Sequence, residues 1–140
     1  MAHKIFIDAN ILLDFTLKRE FYPVSRQVME LALNGEIVLF TSPAIVHIIA
    51  YWLTKSYGKQ KAKELIIALL EYVTVIDADH ATTLNALYSK IDDIEDAIQY
   101  FTALHHQVEI FLTRDKKLLK SALAGLLIYT PEHFLNKVLR

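Results

Sequence analysis

Four aspartates of this 140-residue chain stand where carboxylates do chemistry: Asp8, Asp93, Asp96 and Asp115. Asp8 ends the apolar run Lys4-Ile5-Phe6-Ile7. Asp115 follows a similar run, Val108-Glu109-Ile110-Phe111-Leu112, after Thr113 and Arg114. If both runs are parallel strands of one sheet, their ends share one edge, where open α/β sheets place ligands. Asp93 and Asp96 are three residues apart at the start of a helical pattern, so they share a face where the helix dipole tolerates anions. Carboxylates gathered in this way repel one another, and at least one pKa rises unless a cation neutralises them. Oxygen-only donors suit Mg²⁺ or Mn²⁺, and an ion so held activates water and stabilises a phosphoryl displacement. Each acid also has a plainer reading, because Asp is a preferred helix cap and Asp8, Asp93 and Asp115 each precede a helical stretch. Capping explains Asp96 less well, since it lies inside its helix.

The elements that must position these acids follow from hydrophobic periodicity. Lys4–Asp8, Ile37–Phe40, Val73–Ile76, Val108–Leu112 and Leu126–Tyr129 read as five buried strands. Between them run helical patterns. Val24, Val28, Leu31 and Ala32 form one, opened near Pro23 and stopped at Gly35. Thr41-Ser42-Pro43 opens another, apolar nearly all round, which Gly58 closes. Further patterns cover residues 59–71, 79–89 and the stretch from Asp92 or Asp93 through Leu104. Leu118, Leu119 and Ala122 suggest a short helix, and Thr130-Pro131 starts a last one with Phe134, Leu135 and Val138 inward. Strands alternating with helices predict an α/β fold, a three-layer α/β/α sandwich with a central parallel sheet, over a single domain of residues 1–140.

Composition narrows the class. Hydrophobic residues make up 54% of the chain, enough for a substantial core, and the absence of cysteine excludes disulfides and thiolate metal sites. No stretch resembles a signal peptide, and none is long enough to span a bilayer, so the expectation is a cytoplasmic protein with no membrane association. The net charge of −1 conceals an uneven distribution. Residues 77–96 carry Asp77, Asp79, Asp92, Asp93, Glu95 and Asp96 against Lys90. Residues 113–140 carry Arg114, Lys116, Lys117, Lys120, Lys137 and Arg140 against Asp115 and Glu132. Acids beside bases suit a metal that handles a phosphate backbone, and equally suit ordinary solvated helix faces.

The ordered motifs Ile7-Asp8-Ala9-Asn10-Ile11-Leu12-Leu13-Asp14, Thr41-Ser42-Pro43, Asp93-Ile94-Glu95-Asp96-Ala97-Ile98-Gln99 and Leu112-Thr113-Arg114-Asp115 resemble those of PIN domains. The closing Thr130-Pro131-Glu132-His133-Phe134-Leu135 is similar to the bacterial branch related to toxin–antitoxin toxins, the VapC-like ribonucleases. The resemblance spans essentially the whole chain. It implies a nuclease that binds Mg²⁺ or Mn²⁺ and hydrolyses RNA, with Asp8, Asp96 and Asp115 as catalytic, metal-binding acids. By the same carry-over Asp93 is an auxiliary acid, and Asn10, Thr113 and Ser42 support the pocket or the scissile phosphate. One position departs from the pattern. The family's glutamate on the helix after the second strand falls on His47 here, and no acid occurs between Thr41 and Glu64.

His47 has two readings, a replacement pocket ligand or a histidine that simply finds one hydrogen bond. The His105-His106 pair is read as structural, complementing a helix end. Arg114 and Lys116 are candidate substrate contacts, because cations beside the acids would grip phosphates. Tyr22, Tyr51, Trp52 and Tyr57 are candidates for base stacking or for core and interface. The leading expectation is a metal-dependent ribonuclease, the toxin of a toxin–antitoxin pair. Its rival is a PIN-fold module that binds RNA or protein and cuts weakly or not at all, since the second acid is replaced by His47. A phosphatase of another α/β class ranks below both, because Asn10 stands where it would want a second acid. The apolar helix after Pro43 suggests a partner as well, either an antitoxin segment in a groove or a second copy of the chain.

Overall fold

A computed structural model describes residues 2–121 and 125–138. Five parallel strands lie in the order β3-β2-β1-β4-β5: β1 (His3–Ile7), β2 (Ile37–Thr41), β3 (Val73–Val75), β4 (Ile110–Leu112) and β5 (Leu127–Tyr129). Helices α1 (Ala9–Thr16), α2 (Tyr22–Leu33), α3 (Pro43–Tyr57), α4 (Lys59–Leu69), α5 (His80–Tyr88), α6 (Ile94–His105), α7 (Lys116–Leu119) and α8 (Pro131–His133) cover it, the last continuing as a π-helical turn over Phe134–Val138. This is the expected sandwich.

The central strands carry the core. Ile5, Phe6 and Ile7 are fully buried, as are Leu39 and Leu112, and Phe6 stacks on Phe111 with ring centroids 5.0 Å apart. Each such side chain contributes about 1.5–3 kcal/mol by leaving water. Register pairs Ile7 with Leu112, which sets the residues after both strands side by side. The strand order reverses direction at β1, between β2 and β4, and the carboxyl ends of β1 and β4 flank this switch point. Open α/β sheets leave their ligand crevice at such a place.

Some expected boundaries move. The fourth strand begins at Ile110 rather than Val108, because the chain turns at Gln107 (φ 60°) and the Val108 amide bonds back to the Ala103 carbonyl. The third stops at Val75, although the Ile76 amide still donates to the Thr41 carbonyl. Helix α3 buries only Ile45, Ile49 and Leu53, one stripe at four-residue spacing, while Tyr51, Trp52 and Tyr57 are exposed. Gly58 joins α3 to α4 at φ +85°, a backbone conformation that costs glycine nothing. Ala122, expected in the helix after β4, and the Val138 side chain, expected inward, lie outside the described residues. Among the described residues no helix is long and apolar enough to cross a membrane.

Candidate active site

Asp8 leaves β1 at the switch point and does two jobs. Its Oδ1 accepts the Ala9 amide at 2.8 Å, capping α1, and its Oδ2 accepts the Thr113 hydroxyl at 2.8 Å. Thr113 is fully buried, and its oxygen in turn accepts the Asp115 amide at 3.0 Å. One hydroxyl therefore ties the acid after β1 to the loop after β4. Asp115 caps α7, its Oδ1 accepting the amides of Lys117 and Leu118 at 2.8 and 3.3 Å. Asp93 caps α6 by accepting the Asp96 amide at 2.9 Å. The capping reading of these three acids is thus correct, and it does not compete with a shared site. Capping is what fixes each carboxylate.

The four aspartates line one pocket of about 270 Å³, together with Ala9, Asn10, Leu13, Glu95, Ile48 and Trp52. Asp96 lines it from the first turn of α6, together with Asp115. Burial first, then the neighbouring Asp115, Asp93 and Asp8, push the Asp96 pKa up to about 7. Burial also raises Asp8, against the lowering pull of its bonds from Thr113 and Ala9. Glu95 is raised by burial and by Asp8 and Asp93. Sequence reasoning passed over Glu95 as one charge in an acidic run. Its place beside Asp93 and Asp96 on the first turn of α6 was the available signal.

The donor set is all oxygen and its charges repel, which fits a hard divalent cation. The fit is one of donor type, charge and shared pocket: among the described residues no three His, Asp or Glu side chains already converge as a cage. Helix α3 brings Ile48 and Trp52 to the pocket, not an acid.

Three expected site residues have other work. His47 is exposed and lines a separate depression with Ala50, Tyr51, Thr54 and Lys55, because it sits one position around α3 from Ile48. Ser42 is buried; it accepts the Ile45 amide as the α3 cap and donates to Gln99 Oε1 at 2.5 Å, pinning α3 to α6. Arg114 is turned inward. Its Nη1 meets Glu132 at 2.8 Å, its Nε lies 3.4 Å from the buried Asp14, and its guanidinium sits 4.0 Å over the Phe21 ring. A cation so engaged holds the α1–α2 turn to α8 rather than reaching for phosphate. Lys116 remains exposed at the start of α7, and Asn10 is exposed at the pocket. The histidine pair does work structurally: His106 Nε2 lies 2.9 Å from the Asp77 carbonyl and His105 lies 3.9 Å from Asp79.

The sequence profile of the PIN domain matches residues 4–117. Among solved structures, a toxin–antitoxin complex from Klebsiella pneumoniae is 21% identical, with a TM-score of 0.69, over 91% of this chain and 97% of that one. VapBC2 from Rickettsia felis, bound to a DNA fragment of its promoter, is 16% identical with a TM-score of 0.66 over 90% and 97%. VapC20 of Mycobacterium tuberculosis, a toxin that cleaves the sarcin-ricin loop, is 13% identical with a TM-score of 0.65 over 87% and 98%. At these identities the likeness is one of fold. No curated protein matches the chain significantly.

Proposed function

Because this chain belongs to the PIN domain family, we propose that it is a divalent-metal-dependent ribonuclease, the toxin of a toxin–antitoxin pair. The observation that carries the reading is that Asp8, Asp96 and Asp115, from three elements, line one pocket at the β1/β4 switch point. Asp8, Asp96 and Asp115 would hold Mg²⁺ or Mn²⁺, with Asp93 and Glu95 adding negative charge around them. When bound, such an ion lowers the pKa of a water molecule and polarises a phosphate.

The chain's own residues prepare the site. Thr113 and the Ala9 amide fix both oxygens of Asp8, and the α7 amides orient Asp115. Asp96, whose pKa is raised to about 7, would bind a cation in its deprotonated form. Leu13 and Ile48 give the pocket an apolar wall, which strengthens every electrostatic interaction beside it. The structural relatives that are toxin–antitoxin complexes motivate an antitoxin partner.

Incubating the protein with RNA and Mn²⁺, with and without a chelator, tests the reading. Hydrolysis that the chelator stops is expected. RNA bound but left intact at all metal concentrations would instead favour the non-cutting module, which the want of an acid on α3 motivates.

A further inference from the structure

Helix α6 carries three of the pocket's acids, Asp93 at its cap and Glu95 and Asp96 in its first turn, so its placement decides where those carboxylates stand. Little on its buried face defines that placement. Ala97 and Ala103 are small, and the Thr102 hydroxyl is spent within the helix, donating to the Ile98 carbonyl at 2.6 Å. Apolar contacts are non-directional, so small side chains of this kind let a helix roll or slide at little cost. Gln99 differs from its neighbours. Its side chain is buried, and its Oε1 accepts the Ser42 hydroxyl at 2.5 Å across 57 positions of chain. Ser42 is itself fixed: it follows the last residue of β2 at the sheet's carboxyl edge and accepts the Ile45 amide as the α3 cap. The bond therefore joins the two helices that line the pocket, α3 through Ile48 and Trp52, and α6 through Glu95 and Asp96.

We propose that Gln99 is a positioning residue for the acid pocket: the bond it accepts from Ser42 sets the register of α6 and so the place of Asp96 beside Asp8 and Asp115. The inference rests on the reading of these acids as metal ligands and adds the group that aligns them. The Thr113 hydroxyl already ties Asp8 to the Asp115 loop, and Asp96 is brought to that pair on a separate element. Gln99 lies three residues from Asp96, on the same side of the helix, so fixing one side chain fixes the other. A helix turns through about 100° per residue, and a ligand constellation works only within about 0.5 Å of its productive geometry. A hydrogen bond with one donor and one acceptor resists both roll and slide, which alanines do not. Because α3 supplies no acid, every pocket carboxylate beyond Asp8 and Asp115 comes from α6 or its cap, and the register of that one helix governs them all.

Calorimetric titration of the full chain with Mn²⁺ tests the proposal without reference to hydrolysis. Gln99→Met keeps the length of the side chain and removes the acceptor, and Ser42→Ala removes the donor, reading the same bond from its other end. Each should bind Mn²⁺ about 10–100-fold more weakly than the parent, the effect of losing a group that orients a ligand. The double variant should lose no more than the weaker-binding single variant, because both substitutions break one bond. Ser42→Thr, which keeps the hydroxyl, should recover the parent affinity. Val28→Ala controls for stability: Val28 is buried on α2 and does not line the pocket, so this variant should unfold at lower urea with its Mn²⁺ affinity unchanged. Parent affinity in folded Gln99→Met or Ser42→Ala, losses that add in the double variant, or an equal loss in Val28→Ala would each overturn the positioning role. A parent protein that binds no Mn²⁺ would overturn the metal reading itself and the proposal with it, a result distinct from a working site that is indifferent to Gln99.

Discussion

Asp96 and Asp115 line one pocket, and after burial the Asp115 charge is the largest influence that raises the Asp96 pKa to about 7. Two acids from opposite ends of the site, α6 and the loop after β4, come together only because the sheet and its covering helix force them there. The raised pKa of Asp96 sets the behaviour of the pocket with pH and metal.

Metal affinity should rise with pH through about 7. Asp96 titrates there, and a carboxyl binds a hard cation only when deprotonated. Calorimetric titration with Mn²⁺ between pH 5.5 and 8.5 is expected to show the dissociation constant falling across that window and levelling above it. A flat profile would exclude Asp96 from the ligands.

Without metal, the same acid should weaken the fold as pH rises. Its folded-state pKa, about 7, exceeds its ordinary value of 3.8, so the folded protein holds the proton more tightly. The stability linked to that proton is full below pH 4 and is lost as pH rises towards 7. Asp96→Asn should therefore melt a few degrees higher than the native protein at pH 8 in a chelator, with the gap closing at pH 4. Adding Mn²⁺ should raise the melting temperature of the native protein more than that of the variant.

Thr113→Val removes a hydroxyl that donates to Asp8 and accepts from the Asp115 amide. Leaving a buried group unpaired costs about 1–3 kcal/mol, and disturbing the orientation of a metal ligand costs about 10–100-fold in affinity. Denaturant unfolding and Mn²⁺ titration should both register the loss. Thr113→Ser, which keeps the hydroxyl, should recover most of it.

The acid missing from α3 should be restorable only from the pocket side. His47→Glu should leave Mn²⁺ affinity unchanged, because residue 47 borders the other depression. Ile48→Glu, on the pocket wall, should tighten it. The reverse pattern would mean that α3 is rotated relative to this arrangement.

Arg114→Ala should act on stability. It strips a partner from the buried Asp14, which keeps Arg19, and from Glu132; the cost is up to about 3 kcal/mol. Urea unfolding measures it, and the RNA affinity of the folded fraction should not change.

The sheet and its acids were legible because parallel strands buried on both faces appear as continuous apolar runs, and whatever follows them must lie on one edge. Asp8 and Asp115 needed only that argument. Helix phase was harder to read. On a helix as apolar as α3, one residue of misalignment separates the pocket wall at Ile48 from the outer face at His47, and periodicity does not resolve it. Arg114 misled for another reason: a cation beside an acid suggests phosphate, but Asp14 and Glu132 lie 100 and 18 positions away in the chain and only folding brings them to it. Glu95 was hidden by its neighbours, since any of three adjacent acids could face inward until the cap at Asp93 set the helix.

The central claim is that Asp8 anchors a metal site that hydrolyses RNA. The most direct measurement is the single-turnover rate on a labelled single-stranded RNA at saturating Mn²⁺, for native protein and for Asp8→Asn. The account predicts a fall of at least about 100-fold, from the loss of several kcal/mol of metal-borne stabilisation, in a variant that still melts cooperatively. Equal rates in the two proteins would contradict it.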